Sequence, residues 1–389
     1  MRGPGGPHDH LTPVAPRGQR TADVRNVDRV RVSWRWAVVV GVVAVLAATP
    51  TVVSRLPVGD TDVSASDLLS RVQGSGNVPF SGYAQSTGGV VLPVTDQLSS
   101  LTDLLGGTTT MRTWYRGPAE WRVDTVLLTG ERDLYRRGGQ TWSWDYEADR
   151  AVLSTDPALR LPREADLLPT ELGRRLLSEA DPSEVSRLPA VRVAGVDAPG
   201  LRVVPSDPQT TVREVDVWAD PGTGLPLRVD VLGDGAERPV VTTSFLDFST
   251  ATPNDTTTTF TPPPGANQER QGPTDLAVLA DQNGGASTPT TLAGLGARER
   301  VGAVGVYGRG VTVLAAVPLR GRNTRSLRDQ LTAAPGAVVD ANGVAITVGP
   351  LNLRLTSRAQ DGTTWVLSGT VSSDTLTAAA QQLVTGGRT

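Results

Sequence analysis

Residues 138–147 read GGQTWSWDYE and place Trp142, Trp144 and Tyr146 at alternate positions, in a chain where 4% of residues are aromatic. Period-two alternation is the mark of a β-strand, in which residues i, i+2 and i+4 share one face. The three rings therefore form one apolar wall, entered through a Gly138-Gly139 turn. Runs of the same kind surround it: TTTMRTWYRG, AEWRVDTVLL and ERDLYRRG before it and RAVLST after it, jointed at Gly117-Pro118 and Thr129-Gly130. Their spacing is that of an antiparallel meander.

Working outward, PFSGYAQSTGGVV comes earlier, across a Leu-rich insertion at 92–107 that reads as a short helix or flap. LPAVRVAGV, GLRVVPSD, TVREVDVWAD, LPLRVDVLGD and VVTTSFLDFS follow later as further strands. Two short helices interrupt them: SASDLLSRVQ, capped by Ser64 or Ser66, and LLPTELGRRLLSEA, with Thr170 able to cap. This order predicts an α+β fold over 60–250, one large curved antiparallel sheet with helices on one face. Residues 251–290, rich in Pro, Thr and Gly, read as linker. Residues 291–389 read as a small C-terminal α+β domain, with strands around a Tyr307-Gly308-Arg309-Gly310 turn, a helix at NTRSLRDQLTAA, and a closing helix capped by Ser372 or Ser373.

Composition narrows the chemistry. The 389 residues include no Cys, all 37 basic residues are Arg, and both His, His8 and His10, lie in the first ten positions. Beyond residue 10 the chain thus lacks the side chains most used for acid–base, covalent and metal chemistry near neutral pH. The pairs Asp145 with Glu147 and Asp216 with Asp220 read as solvated strand faces and turn caps, and Asp230 to Asp234 lacks a calcium-loop pattern. The expectation is no catalytic residue, no metal, no cofactor and no enzyme. The body beyond residue 35 is mildly acidic, a net −7 against a total of −3, because residues 1–35 carry seven Arg and three Asp. No nucleic-acid partner is expected from it.

Residues 1–33 read as a disordered basic tail, and WAVVVGVVAVLAATPTVV, residues 36–53, carries no charge and lies between Arg35 and Arg55. About 20 apolar residues span a bilayer, so 34–54 is read as a transmembrane signal-anchor. The Arg excess before it places the N-terminus in the cytoplasm and the main body outside, as a single-pass membrane protein. A cleaved signal peptide is the alternative.

With catalysis set aside, the large aromatics become the candidates for a ligand site. A curved sheet too large for its few helices leaves a concave cavity, and Trp142, Trp144, Tyr146, Trp121, Trp114 and Trp218 are its candidate lining. Because alternate strand positions face opposite sides, not all of them can face it; Trp142 and Trp144 rank first.

VWADPGTGLPLRVDVL, residues 217–232, resembles the strand–turn–strand hairpin of the LolA, LolB and RseB superfamily, through Asp220, Thr223, Gly224, Leu225 and Pro226. Pro221 and Gly222 make the turn and Gly224 permits a positive φ. FSGYAQSTGG and RTWYRGPAEWRVDTVLLTGERDLYRRGGQTWSWD resemble early strands of the MucB/RseB-like branch. VYGRGVTVLAAVPL with WVLSGTVSSDTLTAAAQQL resembles the second domain of RseB. The resemblance implies a LolA-like half-barrel able to take acyl chains, and a regulator of the RseB kind acting on an anti-sigma factor. The alternatives are a lipid or lipoprotein transfer component working with a membrane transporter, and a ligand-free surface interaction module. An anchored protein cannot shuttle, which favours the regulator.

Overall fold

The GGQTWSWDYE stretch folds as its alternation predicts: Gly138 and Gly139 take φ of 57° and 85°, and Gln140–Asp145 form a strand. The computed structural model describes residues 38–40, 42, 57–89, 106–127, 130–157, 159–160, 162–272, 280, 287–320 and 323–386. The chain divides into two units, Met1–Pro57 and Val58–Thr389. In the first, residues 38–40 and 42 are helical and exposed. The basic tail and most of the expected anchor lie outside the described residues, and among those described no helix is long and apolar enough to cross a membrane. The insertion at 92–107 also lies outside them, save its last two residues.

The second unit carries two sheets. The strands of the first are β1 (Phe80–Gly88), β2 (Thr108–Gly117), β3 (Glu120–Val126), β4 (Glu131–Arg137), β5 (Gln140–Asp145), β6 (Arg150–Thr155), β7 (Val185–Val193), β8 (Val196–Val203), β9 (Val212–Ala219), β10 (Pro226–Gly233), β11 (Val241–Ser249) and β12 (Asn267–Arg270). Their order across the 12-stranded sheet is β12-β6-β5-β4-β3-β2-β1-β11-β10-β9-β8-β7. Two meanders therefore meet where β1 pairs antiparallel with β11. Every neighbouring pair is antiparallel except β12 with β6. This is the large curved sheet the sequence predicts.

Two helices pack on one face. Helix α1 (Ala65–Gly74) starts at Ser64, whose side chain accepts from the Asp67 amide, so Ser64 rather than Ser66 caps it. Helix α2 (Pro169–Leu177) departs from expectation: Leu168 holds the cap position, Pro169 occupies the first turn, and Thr170 is buried rather than capping. Proline suits that position because its missing N–H would have no intrahelical partner. Leu68, Leu69, Val72 and Leu177 pack there against Val215, Val217, Val229 and Val231 of the sheet.

Part of the segment read as linker lies on this sheet. A single turn, α3 (Asp255–Thr258), is held by the Thr258 hydroxyl on Glu120 at 2.8 Å, and β12 extends the sheet. Further along, Ala280 is buried against Ala303 and Val304, outside this sheet.

The second sheet contains β13 (Thr291–Leu292), β14 (Leu295–Val301), β15 (Val304–Arg309), β16 (Thr312–Leu319), β17 (Val338–Asp340), β18 (Gly343–Val348), β19 (Leu351–Thr356) and β20 (Thr364–Gly369). They run in the order β13-β14-β15-β16-β20-β19-β18-β17, with α4 (Asn323–Ala333) and α5 (Ser373–Val384) beside them. Ser372 caps α5 by accepting from the Thr375 amide. Alternation is cleanest in β16, where every second residue is buried. The sheets are joined through the loop before β9: the Thr211 amide donates to the Thr370 carbonyl at 3.0 Å and the Ser372 amide to the Gln209 carbonyl at 2.8 Å.

Candidate functional site

Register decides which aromatics share a face. Directly opposite residues in adjacent antiparallel strands project to the same side. Tyr115, Trp121, Arg136 and Thr141 lie opposite one another across β2 to β5 and form one row. Trp114, Arg122, Tyr135 and Trp142 form the neighbouring row, on the other side of the sheet. Trp144 follows Trp142 by two positions and shares its side. Trp218, opposite Arg228 and Gly200, carries the Arg228 guanidinium 5.1 Å from its ring.

The first row opens on a cavity of about 590 Å³ between the sheet and α2. Of the six aromatics singled out in the sequence, only Trp121 lines it, joined by Tyr115, Thr113 and Val123. Trp142, Trp144 and Tyr146 remain a cluster, but on the opposite side. There the Phe260 ring packs 5.6 Å from Trp142 and 6.1 Å from Trp144, and Tyr146 meets Trp144 edge-on at 5.5 Å. Trp114 lies under the Arg122 guanidinium at 4.9 Å.

The cavity is basic where an apolar one was expected. Its lining includes Arg136, Arg160, Arg163, Arg174 and Arg175 against Asp156, Asp166 and Glu171. Three of these cations have carboxylate partners: Arg136 pairs with Asp156, Arg174 with Glu171, and Arg160 grips Asp166 with two bonds of 2.5 and 2.7 Å. The Arg160 hydrogen bonds and charge outweigh burial and hold the Asp166 carboxyl below the usual range. Burial pushes the Glu171 carboxyl up, against the Arg174 charge.

Arg163 differs. Its guanidinium lies 5.2 Å from the Trp121 ring centroid, and its Nε is buried without a hydrogen-bond partner. Burial, with the Arg160 and Arg136 charges adding to it, lowers its pKa to about 10. A cation destabilised by burial and by its neighbours, with an Nε–H left without an acceptor, is arranged to receive an anion. Sequence reasoning passed over these residues, although four arginines fall within 160–175, because that stretch was read for its helix alone.

Residues 109–262 match the family model of the MucB/RseB N-terminal domain. The resemblance read from the strands and from the hairpin at 217–232 is therefore borne out over that span. No curated protein sequence matches the chain. Among solved structures, the Pseudomonas aeruginosa MucA/MucB complex matches at 19% identity and a TM-score of 0.47, over 81% of this chain and 96% of that one. MucB in complex with MucA(peri) matches at 19% identity and a TM-score of 0.46, over 81% and 97%. A LolA superfamily protein from Nitrosomonas europaea matches at 11% identity and a TM-score of 0.24, over 51% and 98%.

Proposed function

We propose that this chain, carrying at 109–262 its match to the MucB/RseB N-terminal domain, is a non-catalytic regulator of the RseB kind. It takes an amphiphilic ligand into the basic cavity and engages an anti-sigma partner of the kind MucB meets in its complex with MucA. The observation that carries the reading is Arg163 over Trp121, a half-buried guanidinium whose Nε is buried without a hydrogen-bond partner beside an apolar ring, inside the matched span. An acyl chain lies against Trp121 and Val123, and an anionic group meets Arg163. The chain beyond residue 10 lacks Cys, Lys and His, which supports binding over catalysis.

Residues 36–53 hold the protein in the membrane, with the N-terminus cytoplasmic and the two sheets outside. This topology follows from the arginines before the apolar run.

The test is extraction of purified residues 58–389 with organic solvent, followed by mass spectrometry. A stoichiometric anionic amphiphile supports the reading. Repeated absence, with no binding of a fluorescent fatty acid, leaves an interaction module without a ligand. Proximity labelling of the full chain then asks whether an anti-sigma factor or a transporter lies beside it.

A further inference from the structure

The side of the first sheet away from the cavity holds a buried charge imbalance. Tyr83, Arg112, Asp124, Asp133 and Trp144 lie directly opposite one another across β1 to β5, with Glu131 two positions before Asp133. Carboxylate oxygens of Asp124, Glu131 and Asp133 come within 4.8 Å of one another, and Asp124 and Asp133 are both 0% exposed.

Two guanidiniums answer these three carboxylates. Arg122 donates to both Asp124 oxygens, at 2.5 and 2.8 Å, and to Asp133 Oδ2 at 3.1 Å. Arg112 binds Glu131, and its Nε stands 3.9 Å from Asp124. The Tyr135 hydroxyl also donates to Asp133 Oδ2, at 3.1 Å, while Asp133 Oδ1 is buried with no donor at all. Ionised throughout, the group carries one uncompensated negative charge away from water, which costs several kcal/mol by order of magnitude.

We propose that a proton on Asp133 neutralises this cluster, and that its loss releases the segment around Phe260 from the sheet. The outer face is thereby a proton-operated element, separate from the cavity. Burial drives the Asp133 carboxyl up to about 7, with the Asp124 and Glu131 charges pushing the same way against Arg122 and the Tyr135 hydrogen bond. The groups facing Asp133 are Arg112 from β2, Arg122 and Asp124 from β3, Glu131 and Tyr135 from its own strand, and Tyr146 after β5. Phe260 brings an uncharged ring.

The link from proton to segment is short. Tyr135, bonded to Asp133, packs against Phe260 with the rings tilted by 31° and their centroids 4.7 Å apart. Trp144 and Tyr146 complete the cover. Water reaches a charged Asp133 by parting these rings, and Phe260 is the one borne on a segment outside the meander, tethered by Arg137 on Asp255 at 2.9 Å.

Hydrogen exchange of the full chain, followed from about pH 5.5 to about pH 8.5 and corrected for intrinsic rates, tests this. Protection of peptides spanning 254–264 is expected to fall about tenfold or more across a midpoint near pH 7. Asp133→Asn is expected to hold the protected level throughout. Asp124→Asn, which removes a like charge beside Asp133 and frees Arg122 to turn to it, is expected to move the midpoint to lower pH. No step in the wild type, the same step in Asp133→Asn, or an upward or unmoved midpoint in Asp124→Asn would each overturn it. Restoration of protection by millimolar calcium or magnesium at the upper pH would also overturn it, assigning the site to a metal ion. If Asp133→Asn fails to fold by circular dichroism, Asp124→Asn decides.

Discussion

The guanidinium of Arg163 rests over the indole of Trp121, 5.2 Å from the ring centroid, and no carboxylate pairs with it among the described residues. Arg160, three residues earlier, takes Asp166 instead. This division leaves the Arg163 cation open to a ligand. Arg163→Gln keeps the hydrogen-bonding shape and removes the charge. Affinity for an anionic amphiphile such as dodecyl phosphate is expected to fall about tenfold to a hundredfold, the range of a charge-assisted bond. Ligand-free thermal stability is expected to rise, because the cost of burying the charge is removed and the like charges of Arg160 and Arg136 no longer oppose it. Titration calorimetry and thermal unfolding read both effects; unchanged affinity would remove Arg163 from the site.

Phe260 contributes contacts that its local sequence does not advertise. It meets Tyr135, Trp142 and Trp144 with centroids at 4.7, 5.6 and 6.1 Å. Phe260→Ala is expected to cost about 2 kcal/mol, less than a fully buried Phe because the ring is half-buried. Denaturant unfolding followed by tryptophan fluorescence measures it. A loss below about 0.5 kcal/mol, the scale of an ordinary surface change, would mean the segment does not hold the cluster.

Gly224 tests the hairpin that carried the family resemblance. Its φ is +73°, and an added Cβ would come 2.5 Å from the backbone carbonyl of Arg71 in α1. Gly224→Ala therefore suffers both left-handed strain and a backbone clash, and is expected to cost more than about 2 kcal/mol. Gly138→Ala, with φ of +57° and open space around it, incurs the strain alone, about 1 kcal/mol. Equal costs in parallel denaturation curves would contradict the clash.

Glu184 joins the two sheets. Burial tends to raise its pKa, but the hydroxyl and amide of Ser206, the Asp181 amide and Arg309 of β15 outweigh it and lower the value to about 2. A depressed carboxylate stabilises the fold fully above its ordinary value of 4.5 and loses that contribution as pH falls toward 2. Glu184→Gln is expected to be less stable than wild type at neutral pH, with the difference shrinking through that acid window. Acid titration of both proteins checks it, and a gap independent of pH would show that the charge is not what matters.

Much of the first sheet was legible from residues 80–249, because period-two alternation and turn glycines are local. Helix α1 and helix α5 were legible for the same reason, since Ser64 and Ser372 sit where a cap must. Thr170 misled because Pro169 beside it sets the start of α2. The run at 251–272 lacked the apolar density of a strand, yet β12 forms because the β6 edge offers it a ready backbone partner.

The sequence by itself determined that Trp142 and Trp144 share a face, that Gly224 turns a hairpin, and that no His, Cys or Lys chemistry is available beyond residue 10. Only the tertiary structure decided which face is the cavity. Alternation divides a strand's side chains into two sets but carries no sign, and the sign comes from where distant helices pack. Helix α2 covers the Trp121 side and leaves the cavity there, while Phe260 closes over Trp142 and Trp144 on the other.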